Sequence, residues 1–65
     1  MKYIKVLYNG HYPQAKDNKI TSFLKEGDIL KVISKREDSY ICDTPKGYVF
    51  VENENAIEVK HNISK

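Results

Sequence analysis

The apolar residues of this chain fall in short runs of β-branched and aromatic side chains, each ended by turn-forming residues within about ten positions. Residues 2–8, 29–34, 39–44, 48–51 and 56–59 form such runs, and none is followed by a stretch long enough for a substantial helix. Sixty-five residues can enclose one small core and no second one, because a chain this short buries only about 60% of the surface it exposes when unfolded. Five short strands and one thin core call for an antiparallel sheet bent on itself into a barrel, which would hide the edges that an open sheet exposes. The expected domain is therefore all-β over residues 1–61, with 62–65 as a terminal tail.

The runs also predict which residues face inward. Ile29-Leu30-Lys31-Val32-Ile33-Ser34 is the strongest, with apolar residues on both faces, and is expected at the centre. Pro45-Lys46-Gly47 separates the next two runs by a tight turn, so these should form a hairpin. The expected core comprises Val6, Leu24, Leu30, Val32, Cys42, Val49 and Val59. Residues 9–18, rich in Gly, Pro, Asn and Asp, read as a long loop. Residues 19–26 leave two alternatives. Ile20, Phe23 and Leu24 have helical spacing between possible caps, but Thr21 and Ser22 are indifferent helix formers and the segment is short, which favours an irregular strand.

Charge gives little direction to a polyanionic partner. Ten lysines and Arg36 face nine acidic residues, a formal charge of +2, with both signs scattered along the chain. Lysine, isoleucine and asparagine are plentiful, a bias associated with AT-rich bacterial and bacteriophage genomes. Cys42 is the single cysteine, which precludes an internal disulfide and suits a reducing compartment, where a buried inert thiol is expected. Lys2 and Lys5 interrupt the opening apolar run, so neither a signal peptide nor a membrane span is expected, and a cytoplasmic location follows.

Three segments resemble the Src homology 3 (SH3) fold in the order that fold requires. Val6-Leu7-Tyr8-Asn9-Gly10 is similar to its Ala-Leu-Tyr-Asp-Tyr opening. Leu24-Lys25-Glu26-Gly27-Asp28-Ile29-Leu30-Lys31-Val32 is similar to its diverging turn and following strand, and Gly47-Tyr48-Val49 to the Gly-Tyr-Val before its last helical turn. The resemblance implies a five-stranded antiparallel SH3-like barrel. It does not carry the family's polyproline ligand with it: there is no tryptophan, Ser39 or Tyr40 stands where one is required, and Phe50-Val51-Glu52-Asn53 replaces the Pro-Ser-Asn-Tyr run.

No catalytic constellation is visible. Cys42, His11 and His61 are the candidates for nucleophile and base, and neither histidine lies near the cysteine in sequence. The three glycines stand alone in separate turns, so no phosphate loop exists, and no metal or cofactor is expected. The five tyrosines and two phenylalanines are more informative, since so small a core cannot enclose them all. Tyr8, Tyr12, Tyr40, Tyr48 and Phe50 are the candidate partner-binding residues; their rings either form a contact patch or seal a thin core. The expected function is that of a non-enzymatic, free-standing interaction module, a small bacterial or phage regulator that binds a larger host protein as a monomer. Binding of RNA or single-stranded DNA by stacking on exposed tyrosines beside lysines is the alternative.

Overall fold

The computed structural model describes residues 2–60. The expected tail, together with His61, lies outside them. Among the described residues seven strands follow one another: β1 (Tyr3–Val6), β2 (Gly10–Pro13), β3 (Thr21–Leu24), β4 (Ile29–Lys35), β5 (Ser39–Thr44), β6 (Gly47–Glu52) and β7 (Ala56–Val59). A single-turn 3-10 helix, Asn53–Asn55, links the last two. Five strands form an antiparallel sheet in the order β6-β5-β4-β1-β7, and β2 and β3 form a separate hairpin. No helix among the described residues is long and apolar enough to cross a membrane.

The run expected at the centre is there: β4 pairs with β1 along its first half and with β5 along its second. A bulge between Val32 and Ser34 interrupts the β4–β5 ladder, and Ile33 within it is 46% exposed. An extra residue of this kind bends a strand and increases its local twist. The β5–β6 hairpin also forms as expected, with Thr44 opposite Gly47 and a two-residue connection between them. The Thr44 hydroxyl donates to the Gly47 carbonyl oxygen at 2.6 Å and accepts from the Lys46 N–H at 3.2 Å, closing the turn. Gly47 has φ +122°, a region that side chains disfavour.

Two expectations are corrected. The strands do not close into a barrel by hydrogen bonding: β6 and β7 are the two ends of the sheet, and no ladder joins them among the described residues. Instead, the hairpin packs on one face of the sheet. Its Tyr12 and Leu24 pack with Ile4, Val6, Tyr40, Cys42, Val49 and Val51 into one core, with Leu30, Val32 and Ala56 packed at its margin. The segment 9–18 is also not one long loop, because Gly10–Pro13 is strand. Its pairing with Thr21–Leu24 supplies the partner that local composition cannot reveal, and Pro13 is tolerated because it sits at the strand's end opposite Thr21. Residues 21–24 are extended, with Ser22 and Leu24 buried and Phe23 outward, a period of two that rules out the helical alternative.

Candidate functional site

A groove of about 540 Å³ opens where the β1–β2 connection, the start of β5 and the end of β6 meet. Tyr8, Tyr12, Pro13 and Phe50 supply its apolar surface, and Asp38 and Glu52 its carboxylates. Each wall is fixed by backbone pairing. Ser39 stands opposite Glu52 at the end of the β5–β6 ladder, which sets Asp38 beside the 3-10 helix. There the Asn53 N–H donates to the Asp38 carbonyl oxygen at 3.0 Å, and the Asn53 side-chain amide donates to the Glu37 carbonyl oxygen at 3.2 Å. On the other side, the Leu7 N–H donates to the Asn55 carbonyl oxygen at 2.9 Å, tying the β1–β2 connection to the same helix. Asn9 extends this wall by accepting, through Oδ1, from the Glu26 N–H at 2.7 Å.

The structure brings three of the five candidate residues together in this groove. Tyr8 is 59% exposed and Phe50 half-buried, and both line the groove. Tyr12 lines it too, but its ring is largely buried and its hydroxyl donates to the Tyr8 carbonyl oxygen at 2.7 Å. Burial raises the Tyr12 hydroxyl pKa above its ordinary value. It therefore serves both as a core residue and as the floor beneath Tyr8.

Tyr40 and Tyr48 do not join this group. Tyr40 stands opposite Val51 on the inward face of the β5–β6 pair and is buried. Its hydroxyl donates to Glu58 Oε2 at 3.2 Å, and the Lys35 ammonium lies 5.0 Å from its ring centre. Burial first, and then the Glu58 hydrogen bond and charge, raise its pKa. Tyr48 points outward, half exposed, opposite Asp43 and outside the groove. In β6, Val49 and Val51 take the inner face and Tyr48 and Phe50 the outer, and of these two only Phe50, nearer the 3-10 helix, lines the groove.

Several groove residues were not apparent from the sequence. Asp38 and Glu52 look there like ordinary turn and edge residues, and become neighbours only through the hairpin register. Ser39, one of the two residues standing where the resemblance requires a tryptophan, is buried and lines the groove. His11 also lines the groove and packs edge-on to Phe23, with ring centres 5.3 Å apart. Cys42 is fully buried, and burial pushes its thiol up to about 11, far from the pKa of a nucleophilic cysteine. No group of three or more potential metal ligands occurs among the described residues.

Comparison with known proteins finds no family model that matches the chain, and no similar curated protein or solved structure.

Proposed function

We propose that this chain is a non-enzymatic protein-interaction module of the SH3-like kind, which receives an extended segment of a larger partner protein in the Tyr8–Phe50 groove. The observation that carries this reading is the convergence of Tyr8, Tyr12 and Phe50 beside Asp38 and Glu52 in one preformed groove. Aromatic rings with an apolar body and a polar tip are the residues most often found at the energetic centre of protein contacts. A groove pinned on both walls by backbone hydrogen bonds loses little conformational freedom when it is filled. The SH3-like reading is supported by the order of strands, by the 3-10 helix between β6 and β7, and by the position of the groove between the β2–β3 hairpin and that helix. The two carboxylates favour a segment bearing a cationic side chain and disfavour a phosphate backbone.

Affinity capture with the tagged chain tests this reading. A stoichiometric protein partner should be retained by the wild type and by Tyr48→Ala, whose ring lies outside the groove. It should be lost from Tyr8→Ala and Phe50→Ala, each weakening binding by about 2 kcal/mol or more. Loss with Tyr48→Ala alone would move the contact surface elsewhere. Titration with single-stranded nucleic acid at two salt concentrations tests the alternative, because binding that weakens steeply with salt would replace the protein partner with a polyanion.

A further inference from the structure

The main sheet ends on one side at β6 and on the other at β7. The β6 end is fastened to the hairpin by a bridge between Gln14 and Val49, whereas no strand among the described residues lies beyond β7. The ladder fixes which backbone groups that open edge presents. The Val6 N–H donates to the Asp28 carbonyl oxygen at 2.9 Å and its C=O accepts from the Gly27 N–H at 2.7 Å, both on the β4 side, while the Leu7 N–H donates to Asn55 on the β7 side. Successive residues of a strand direct these groups to opposite sides, so Lys5 and Tyr3 turn theirs towards Ile57 and Val59, which stand opposite them. Ala56 and Glu58 therefore turn theirs away from the sheet. The Ala56 N–H is held by the Asn53 carbonyl oxygen, but the Ala56 C=O and both backbone groups of Glu58 have no partner among the described residues.

We propose that this edge pairs antiparallel with the same edge of a second copy, Ala56 opposite Glu58, in place of the monomer expected from the sequence. An open edge accepts an extended strand, and the charges select which strand and which register. Only Ala56, Glu58 and, one step on, Lys60 direct backbone groups outward, so these must face one another. Ala56 opposite Ala56 would set Glu54 against Glu58, and Glu58 opposite Glu58 would set two carboxylates together; like charges directly opposite destabilise a pair. Ala56 opposite Glu58 avoids both. It sets Ile57, 52% exposed on the outer face, against its own copy at the two-fold axis, and it brings Glu54 opposite Lys60 at each end. Glu54 and Lys60 are exposed, and neither forms an ion pair with a described residue. The Glu58 carboxylate leaves the way clear, because it shares the inner face with Ile4 and is engaged there by the Tyr40 hydroxyl and, at 3.5 Å, by the Lys2 ammonium. Each Glu58 N–H then donates to the Ala56 carbonyl oxygen of the other copy, and two five-stranded sheets become one. So short an edge makes a small interface, and the dimer is weak and reversible. Tyr8, Tyr12 and Phe50 take no part in it, so it stands apart from the reading of the groove.

Analytical ultracentrifugation of the full chain between about 10 µM and about 1 mM tests this. The average mass should rise from that of one chain towards twice that value and no further. Glu54→Lys and Lys60→Glu each replace two attractive pairs with two repulsive ones, so each variant alone should dimerise about ten-fold more weakly than the wild type. Mixed in equal amounts, the two variants should dimerise with one another as the wild type does, because opposite charges then meet at both ends. Both residues are exposed, so circular dichroism should show the fold of each variant unchanged. In hydrogen exchange, the Glu58 amide should gain protection as the concentration rises, while the Ile57 amide, already paired with β1, should not. A single-chain mass throughout the range would overturn the self-pairing and leave the edge to a strand of another protein. Dimerisation that neither charge reversal weakens would place the contact on another surface. Weakening by Lys60→Glu but not by Glu54→Lys would overturn this register in favour of Glu58 opposite Lys60.

Discussion

Gln14 stands opposite Val49 in an antiparallel bridge that fastens the β2–β3 hairpin to the outer edge of β6. The neighbouring Ala15 N–H donates to the Tyr48 carbonyl oxygen at 2.8 Å, extending the attachment by one residue. Gln14 is itself buried, and its side-chain amide donates to Ser22 Oγ at 3.0 Å and, more weakly, to the Lys46 carbonyl oxygen at 3.4 Å. One side chain therefore links both strands of the hairpin to the β5–β6 turn. Because the hairpin carries Tyr12 and Pro13, this link also positions one wall of the groove.

Gln14→Ala should cost about 1–3 kcal/mol, since it leaves the buried Ser22 hydroxyl without its partner and frees the turn at Lys46. The loss should be felt locally first. In native-state hydrogen exchange, the Ala15 amide should lose protection well before that of Cys42 at the centre of the sheet. Equal loss at both positions would show that the hairpin and sheet open as one unit.

The Tyr12 hydroxyl can be removed without disturbing its ring. Tyr12→Phe should lower stability by about 1 kcal/mol, seen as a lower denaturation midpoint with unchanged slope, because a hydrogen bond to the Tyr8 carbonyl oxygen is lost. Tyr8→Phe, at a residue 59% exposed, should stay within about 0.5 kcal/mol of the wild type. If the two variants are equally stable, the Tyr12 hydroxyl contributes no more than water would supply.

Two glycines should respond in opposite directions to alanine. Gly47 has φ +122°, so a side chain there is strained even though the nearest atom to an added Cβ, Gln14 Oε1, is 3.7 Å away. Gly47→Ala should destabilise by about 1 kcal/mol or more. Gly10 has no positive φ, and its added Cβ would meet Tyr12 Cε1 at an ordinary 3.7 Å. Gly10→Ala should be neutral or stabilising by up to about 1 kcal/mol, through the reduced freedom of the unfolded chain. Thermal denaturation of the two variants side by side checks the difference in sign.

Local pattern made the β4–β6 region legible because each of its strands carries its own signal. Lys46-Gly47 and the flanking alternation specify the turn, the turn specifies the register, and the register places Cys42 opposite Val49 in the core. Of the expected core, Val6, Leu24, Cys42 and Val49 are buried, while Leu30, Val32 and Val59 are only half-buried. Ile4, Tyr12, Tyr40 and Val51 complete the buried set. Tyr12 was harder to place, because Gly10–Pro13 has turn composition and becomes strand only through β3, a partner eight or more residues away. The division of the tyrosines depended on the same long-range information. Tyr8, Tyr12 and Phe50 meet only after the hairpin folds over the sheet, and Tyr40 turns inward because its face of β5 is the one the hairpin covers.

Cys42 makes alkaline stability sensitive to one buried thiol. Burial raises its pKa from 9.0 to about 11, so the folded chain holds the proton more tightly than the unfolded chain does. Below pH 9 both states keep the proton and the thiol has no effect on the pH dependence of stability. As the pH rises from 9 towards 11, the unfolded state releases the proton first, and stability falls by an amount on the order of 2 kcal/mol. Tyr12 and Tyr40, whose pKa values are also raised, act in the same direction above their ordinary value of 10.0. Cys42→Ala removes only the thiol contribution. Although the variant starts less stable, because it loses packing in the core, its denaturation midpoint should fall less steeply than that of the wild type between about pH 8 and pH 11. Parallel declines in the two chains would show that the Cys42 proton is held no more tightly in the folded state than in the unfolded one.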